Sequence, residues 1–281
     1  MRRVYKLRLR DKELELGKRT LVMGVLNVTP DSFSDGGLYL DPKRAEERAW
    51  EMVEEGADII DIGGESTRPG AEPLPLEEEL RRVMPVLEAL GPSFPVPISI
   101  DTYKAKVAEE ALKAGASIVN DISGLGFDQD MAEVVAHYGA ALVIMHIKGT
   151  PKDMQLNPTY GDVLGEIKAY LRERIEKAEK AGVRSDAIIV DPGIGFGKRL
   201  EHNLEIFRRM KELEELGKPI LVGPSRKRFI GEILGVETSQ RLYGTLAAVA
   251  FSILQGVHIV RVHDVKPCRQ LVDVIDAMMN L

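Results

Sequence analysis

Cysteine is almost missing from this chain of 281 residues: Cys268 stands alone. One thiol cannot close an intrachain disulfide, so a buried core has to hold the fold, and nothing points to an oxidising compartment. Aromatic residues are scarce at 5%, and the five histidines include no His-x-x-x-His pair. A zinc cage built from protein ligands alone is therefore not expected. Long apolar runs are absent too, and Met1 to Leu16 alternates charge with apolarity where a secretory leader or a membrane span would be continuously apolar. The expectation is a cytoplasmic protein with no membrane partner. The triplet Asn27-Val28-Thr29 fits the glycosylation pattern, but such a protein meets no machinery to modify it. Basic charge is not in excess either, since 38 Lys and Arg face 44 Asp and Glu for a formal net charge of -6. That balance speaks against a nucleic-acid or anionic-membrane binder, which needs a broad basic field. An anionic ligand would have to meet a local basic cluster.

What the chain does hold is enough apolar residue, 44%, to fill a sizeable core, with 29% charge to solvate its surface. No Pro/Ser-rich linker divides it, so residues 1–281 read as one domain. A hairpin is expected first, Val4 to Leu9 and Glu13 to Leu16 joined by the turn Arg10-Asp11-Lys12. Eight short apolar runs follow: Leu21 to Leu26, Ile59 to Ile62, Ile98 to Ile100, Ile118 to Val119, Ala141 to Met145, Ile188 to Val190, Ile220 to Val222 and Ile259 to Val262. Between them lie segments with apolar residues three or four apart, such as Ala45, Ala49, Met52, Val53 and Leu164, Ile167, Leu171, Ile175, the helical spacing. Asp41-Pro42 should start the first of these helices, as cap and first-turn proline. Strands apolar on both faces and separated by helices make parallel βαβ units. Eight of them predict an α/β fold of the (β/α)8 or TIM-barrel type with a short N-terminal β-hairpin, an open doubly wound sheet being the competing architecture.

Asn27, Asp61, Asp101, Asn120 with Asp121, Asp191, and Arg261 with His263 fall at or near the carboxyl ends of successive apolar runs. In a parallel α/β fold those ends share one rim. Any one of them could merely cap a helix or bond a loop; the set as a whole is harder to explain that way. Carboxylates and amides gathered around one pocket suit a flat heterocycle with an amidine-like donor edge, because a carboxylate accepts paired N–H bonds. Asp101, Asn120 and Asp191 are the candidates. The basic counterpart is Ser225-Arg226-Lys227-Arg228 after the seventh run, joined by Arg68, Arg261 and His263. Ser225 is expected to cap a helix whose free N–H groups face an anion. A magnesium ion shared with a substrate phosphate would need only one or two protein oxygens, which Asn27 or Asp35 could offer. The stretch Asp191-Pro192-Gly193-Ile194-Gly195-Phe196-Gly197-Lys198 is neither a Walker loop nor a full dinucleotide fingerprint, so NAD and ATP readings fall. It reads equally as a flexible loop and as one that lays Phe196 against a planar ligand.

Taken in order, Met23 to Gly37 (MGVLNVTPDSFSDGG), Asp61 to Gly70 (DIGGESTRPG), Ser99 to Thr102, Val119 to Ile122, Asp191 to Lys198, Ser225 to Lys227 and Arg261 to His263 closely resemble the dihydropteroate synthases, nearly from end to end. The first two segments are highly specific. The resemblance implies a pterin-binding barrel that joins 6-hydroxymethyl-7,8-dihydropterin diphosphate to 4-aminobenzoate, releasing diphosphate, in folate synthesis. It implies a pterin pocket of Asp101, Asn120, Ile122, Met145, Asp191 and Lys227. It also implies diphosphate and Mg2+ contacts at Asn27, Asp35, Arg261 and His263, with Asn27 the metal residue. The aminobenzoate pocket would hold Phe33, Thr67, Arg68, Pro69, Phe196 and Lys227. Where some members carry a serine after Ser-Arg-Lys this chain has Arg228, which would replace or supplement that contact. Homodimerisation is implied as well. Two other functions use the same Asp/Asn pocket, a methyltransferase acting on methyltetrahydrofolate and a non-catalytic pterin carrier. Neither calls for the basic set Lys227, Arg261 and His263.

Overall fold

The structure is a computed structural model that describes residues 2–10, 12–29 and 42–279. It opens with an antiparallel hairpin, β1 (Tyr5–Leu9) and β2 (Lys12–Leu16). Lys12, expected in the turn, instead pairs with Leu9, which makes the reversal a tight one. Arg10 takes the left-handed conformation such a tight reversal demands, with φ 54°, and its N–H donates to the Gly139 carbonyl at 2.8 Å.

The eight apolar runs all form parallel strands: β3 (Leu21–Asn27), β4 (Ile59–Gly63), β5 (Ile98–Asp101), β6 (Ile118–Asp121), β7 (Ala141–Met145), β8 (Ile188–Asp191), β9 (Leu221–Val222) and β10 (Ile259–Val262). Their order, β8-β7-β6-β5-β4-β3-β10-β9, is circular, and a parallel bridge between Val190 and Ile220 joins the last strand to the first. The sheet is therefore a barrel, and the open alternative is overturned. Helices α1 (Pro42–Glu54), α2 (Leu76–Leu90), α3 (Ala105–Lys113), α4 (Met131–Tyr138), α5 (Val163–Lys180), α6 (Leu200–Arg209), α7 (Arg228–Leu234), α8 (Leu242–Leu254) and α9 (Val265–Met279) surround it. The helical spacing read from sequence is the buried stripe of each: Ala45, Ala49 and Met52 in α1, and Leu164, Ile167, Leu171 and Ile175 in α5. The Asp41 cap lies outside the described residues. No helix among them is long and apolar enough to cross a membrane.

Side chains alternate along a strand, and here the alternation divides two cores. Val22, Ile60, Ile62, Ile100, Val119, Leu142, Ile144, Val190 and Val260 face the helices. Leu21, Met23, Ile59, Ile118, Ala141, Val143, Ile189, Leu221 and Ile259 face the barrel axis and pack with Leu7, Leu9 and Leu16 of the hairpin, which stoppers the amino end. Burying each hairpin leucine stabilises this plug by roughly 1.5–3 kcal/mol.

Candidate active site

One more step of the same alternation carries the axis-facing side chains from the dry layer to the carboxyl mouth. Ile59 is followed by Asp61, Ile118 by Asn120, Ile189 by Asp191 and Ile259 by Arg261. The mouth opens into a cavity of about 960 Å³ whose lining includes Asn27, Thr67, Arg68, Pro69, Asp101, Phe196, Lys227, Arg228, Arg261 and His263. Residues drawn from six separate stretches are thus brought to one place. Ile122, Met145 and Phe196 share an apolar cluster with Ile147 and Met154, the wall a planar ring could lie against. Phe33 and Asp35 lie outside the described residues.

Arg261 is the hub of the polar side. Its Nε donates to Asp61 Oδ2 and its Nη2 to Asp101 Oδ2, both at 2.6 Å. Asn120 Nδ2 donates to the same Asp61 oxygen at 3.1 Å. Asp191 Oδ1 accepts the Gly193 N–H at 2.7 Å. Asp121, adjacent to Asn120, accepts from Ser123 and Leu125 and serves its own loop.

Burial dominates the electrostatics of these groups. It pushes the Asp101 carboxyl up to about 7 against the pull of Arg261, and Asp191 up to about 6 against the Gly193 N–H and Lys227. The Lys227 ammonium is pushed down to about 8 by burial and by Arg261, and it stands 4.0 Å above the Phe196 ring. His263 is pushed down to about 3 by burial, with Arg261, Arg226 and Lys227 adding to the shift, so its imidazole is neutral at pH 7. The site sets hydrogen-bond acceptors opposite cations, a chemistry suited to one ligand with a donor edge and an anionic tail.

Ser225 is not the helix cap expected of it. The helix α7 begins at Arg228, with Lys227 in the cap position, while Ser225 Oγ lies 3.0 Å from His263 Nδ1 and accepts the His263 N–H at 3.2 Å. The chain first has to turn through Arg226 at φ 57°, which displaces the helix start by two residues. Arg226 pairs with Asp264, and Arg228, at the cavity rim, pairs with Glu232 with its side chain 71% exposed.

The glycine-rich stretch after β8 is pinned. A Cβ on Gly193 would stand 2.0 Å from the His146 carbonyl oxygen, and one on Gly197 2.4 Å from that of Lys148, so only glycine allows this close approach. Buried Lys198 completes the tie. Its Nζ donates to the Phe196 carbonyl at 2.9 Å and lies 2.9 Å from His146 Nδ1, and burial brings its ammonium down to about 7. No role for Lys198 emerges from sequence, nor for the Glu65 carboxylate that ties the loop after β4 to Tyr103 and Lys104. Nothing local marks these residues, since His146, Tyr103 and Lys104 come from loops distant in the chain.

The fold and mouth define a barrel enzyme for a small polar substrate, and comparison narrows the class. The model of the pterin-binding enzyme family matches residues 23–263. The dihydropteroate synthase of Synechocystis sp. is 49% identical over 263 residues, 93% of this chain and 91% of its own. The Yersinia pestis dihydropteroate synthase, solved with a sulfonamide drug complex, superposes with a TM-score of 0.93 at 42% identity, covering 98% of this chain and 100% of that one. The Xanthomonas albilineans dihydropteroate synthase with 4-aminobenzoic acid gives 0.92 at 41%, covering 99% and 100%. The chain belongs to the pterin-binding enzymes and, within them, to the dihydropteroate synthases, transferases of folate biosynthesis.

Proposed function

We propose that this chain, as one barrel unit over residues 1–281, condenses 6-hydroxymethyl-7,8-dihydropterin diphosphate with 4-aminobenzoate in the cavity above β3–β10. The observation that carries the reading is the meeting of Asp101, Lys227, Arg261 and His263 on one cavity wall, with Asn120 bonded into it through Asp61. Asp101, Asn120 and Asp191 accept from the pterin's N–H edge, with Ile122, Met145 and Lys227 around the ring. Arg261 and His263 take the diphosphate. Phe196, Thr67, Arg68 and Pro69, with Phe33 and Arg228, enclose the aminobenzoate.

The exocyclic carbon–oxygen bond breaks first, its electron pair leaving with diphosphate, and the electron-rich dihydropterin carries the resulting cation. The aminobenzoate nitrogen then donates its lone pair to that carbon and loses a proton. The arylamine is already neutral at pH 7, so the site needs no nucleophile–base pair. Charge neutralisation by Arg261 and placement of two substrates supply most of the acceleration. A neutral His263 can donate a hydrogen bond to a phosphate oxygen. Magnesium fits the donor set as a shared ion: no group of three His, Cys, Asp or Glu among the described residues could hold a metal, and the Asn27 amide oxygen is one hard ligand to add to diphosphate and water. Asn27, with Asp35, would hold it, and it would supply further charge neutralisation on the leaving group. Formation of 7,8-dihydropteroate with an equal amount of diphosphate when both substrates are present is the expected result. Absence of that product with both substrates would overturn the reading.

We further propose a homodimer. An apolar groove between α6, α7 and α8 is lined by Phe207, Phe229, Ile233, Leu234 and Phe251, of which Ile233, Leu234 and Phe251 are exposed. Sedimentation should give twice the chain mass, and Phe251→Glu should halve it. A wild-type monomer at micromolar concentration would refute the pairing.

A further inference from the structure

Asp61 touches the pocket only through others, yet it is fully buried and two of the groups assigned above lean on it. A single oxygen, Oδ2, accepts both Arg261 Nε and Asn120 Nδ2, while Oδ1 is buried with no hydrogen-bond partner among the described residues. A carboxylate paired with a guanidinium only accepts, so the Asn120 amide has to present its nitrogen to Asp61. Its carbonyl oxygen is the end left for a ligand. Held so, Asn120 is an acceptor and joins Asp101 and Asp191 in a wall that accepts throughout. Released, the amide could turn and set its own N–H against a ligand's, and Arg261 would lose the anchor at the root of its guanidinium.

We propose that Asp61 is a positioning residue that fixes the hydrogen-bond polarity of Asn120 and the pose of Arg261, so that the pocket selects ligands presenting donors. The inference rests on the pterin reading above. It also separates two effects of one carboxylate. Asp61→Asn keeps an oxygen that can accept from both donors but removes the charge that pairs with Arg261. Asp61→Ala removes both. The bland alternative is that Asp61 merely neutralises a buried arginine.

Calorimetric titration with 6-hydroxymethyl-7,8-dihydropterin, which lacks diphosphate, tests this on wild type, Asp61→Ala, Asn120→Ala and the double variant. Steady-state kinetics of Asp61→Asn accompany it. Each alanine variant is expected to weaken pterin binding at least tenfold, and the double variant no more than about twofold beyond the weaker single one, because Asp61 acts through Asn120. Asp61→Asn should keep pterin affinity within about threefold while kcat falls tenfold or more. Multiplying effects in the double variant, or equal loss of pterin affinity in Asp61→Asn and Asp61→Ala, would overturn the proposal. If Asn120→Ala binds pterin normally, the pocket reading itself falls and takes the proposal with it. Should Asp61→Ala not fold, the split between affinity and kcat in Asp61→Asn decides alone, a parallel loss of both counting against it.

Discussion

The two ends of the barrel are built from the same strands and differ by one step along each. At the amino end the axis-facing residues are aliphatic, sealed by Leu7, Leu9 and Leu16, and the layer is dry. At the carboxyl end the next axis-facing residues are Asp61, Asn120 and Asp191, which are buried, and Asp101 and Arg261, which are partly so; Asp61, Asp101, Asn120 and Arg261 bond to one another, and Asp191 to the Gly193 N–H. The first end contributes stability. The second spends some of it, because an ionised group removed from water is favourable only when paired, and here burial outweighs the pairing and shifts Asp101 and Asp191 upward rather than down. Mutations at the two ends should therefore separate function from stability.

Arg261→Ala should have the largest effect, lowering kcat by about two to three powers of ten, the scale of losing one transition-state donor. It also leaves Asp61 and Asp101 without their cation, so calorimetry should show a lower Tm. Normal turnover with lost pterin affinity would reverse the assignment of this residue. At the opposite end, Leu9→Ala should destabilise by about 2–5 kcal/mol in denaturant titration, as for a truncated core leucine, while kcat/KM measured well below the melting range stays at the wild-type value. A comparable fall in kcat/KM would mean that the ends are coupled.

Asp191→Asn should weaken pterin binding by about 1.5–3 kcal/mol, the range for hydrogen bonds to a charged group, by calorimetric titration. The same change should raise Tm above pH 6. A carboxyl raised to about 6 holds its proton more tightly in the folded chain than in the unfolded one, where it titrates near 3.8. Below that lower value both states are protonated and nothing is lost. As pH rises from about 4 to 6 the unfolded state ionises first and stability falls, and above about 6 the full penalty persists. Wild type and variant should therefore converge in Tm below pH 4. The pH profile of kcat/KM should show an acid limb between about 6 and 7 from Asp191 and Asp101 and an alkaline limb near 8 from Lys227, and Asp191→Asn should leave in the acid limb only the component near 7 from Asp101. The smallest effect is expected at Arg228→Ala. Its pair with Glu232 is solvent-exposed, so folding should change by less than about 1 kcal/mol, and any rise in KM for aminobenzoate would measure its contact with that substrate alone.

Much of this was readable before the fold was known. Eight apolar runs with helical spacing between them predicted the barrel, because strand and helix periods are local properties of side-chain order. The polar residues closing those runs predicted the mouth, because parallel strands must end on one rim. Ser225 shows where such reading fails: a serine before a basic run looks like a cap, but the left-handed turn at Arg226 and the contact with His263 belong to the loop's tertiary setting. Asp121 and Asn120 are neighbours of similar character, and only the alternation of β6 decides that one serves its loop while the other faces Asp61.

The sequence by itself determined the order of strands and helices, the polarity of the rim and, through long specific motifs, the family. Each follows from spacing along the chain. Only the tertiary structure decided that Asp61 carries Arg261 and Asn120, that Lys198 pins the Phe196 loop, and that Asp101 and Asp191 sit above their ordinary carboxylate range. Those are properties of burial and of partners up to 200 positions apart. Desolvation and pairing depend on distance in space, and barrel closure is what makes distant strands neighbours.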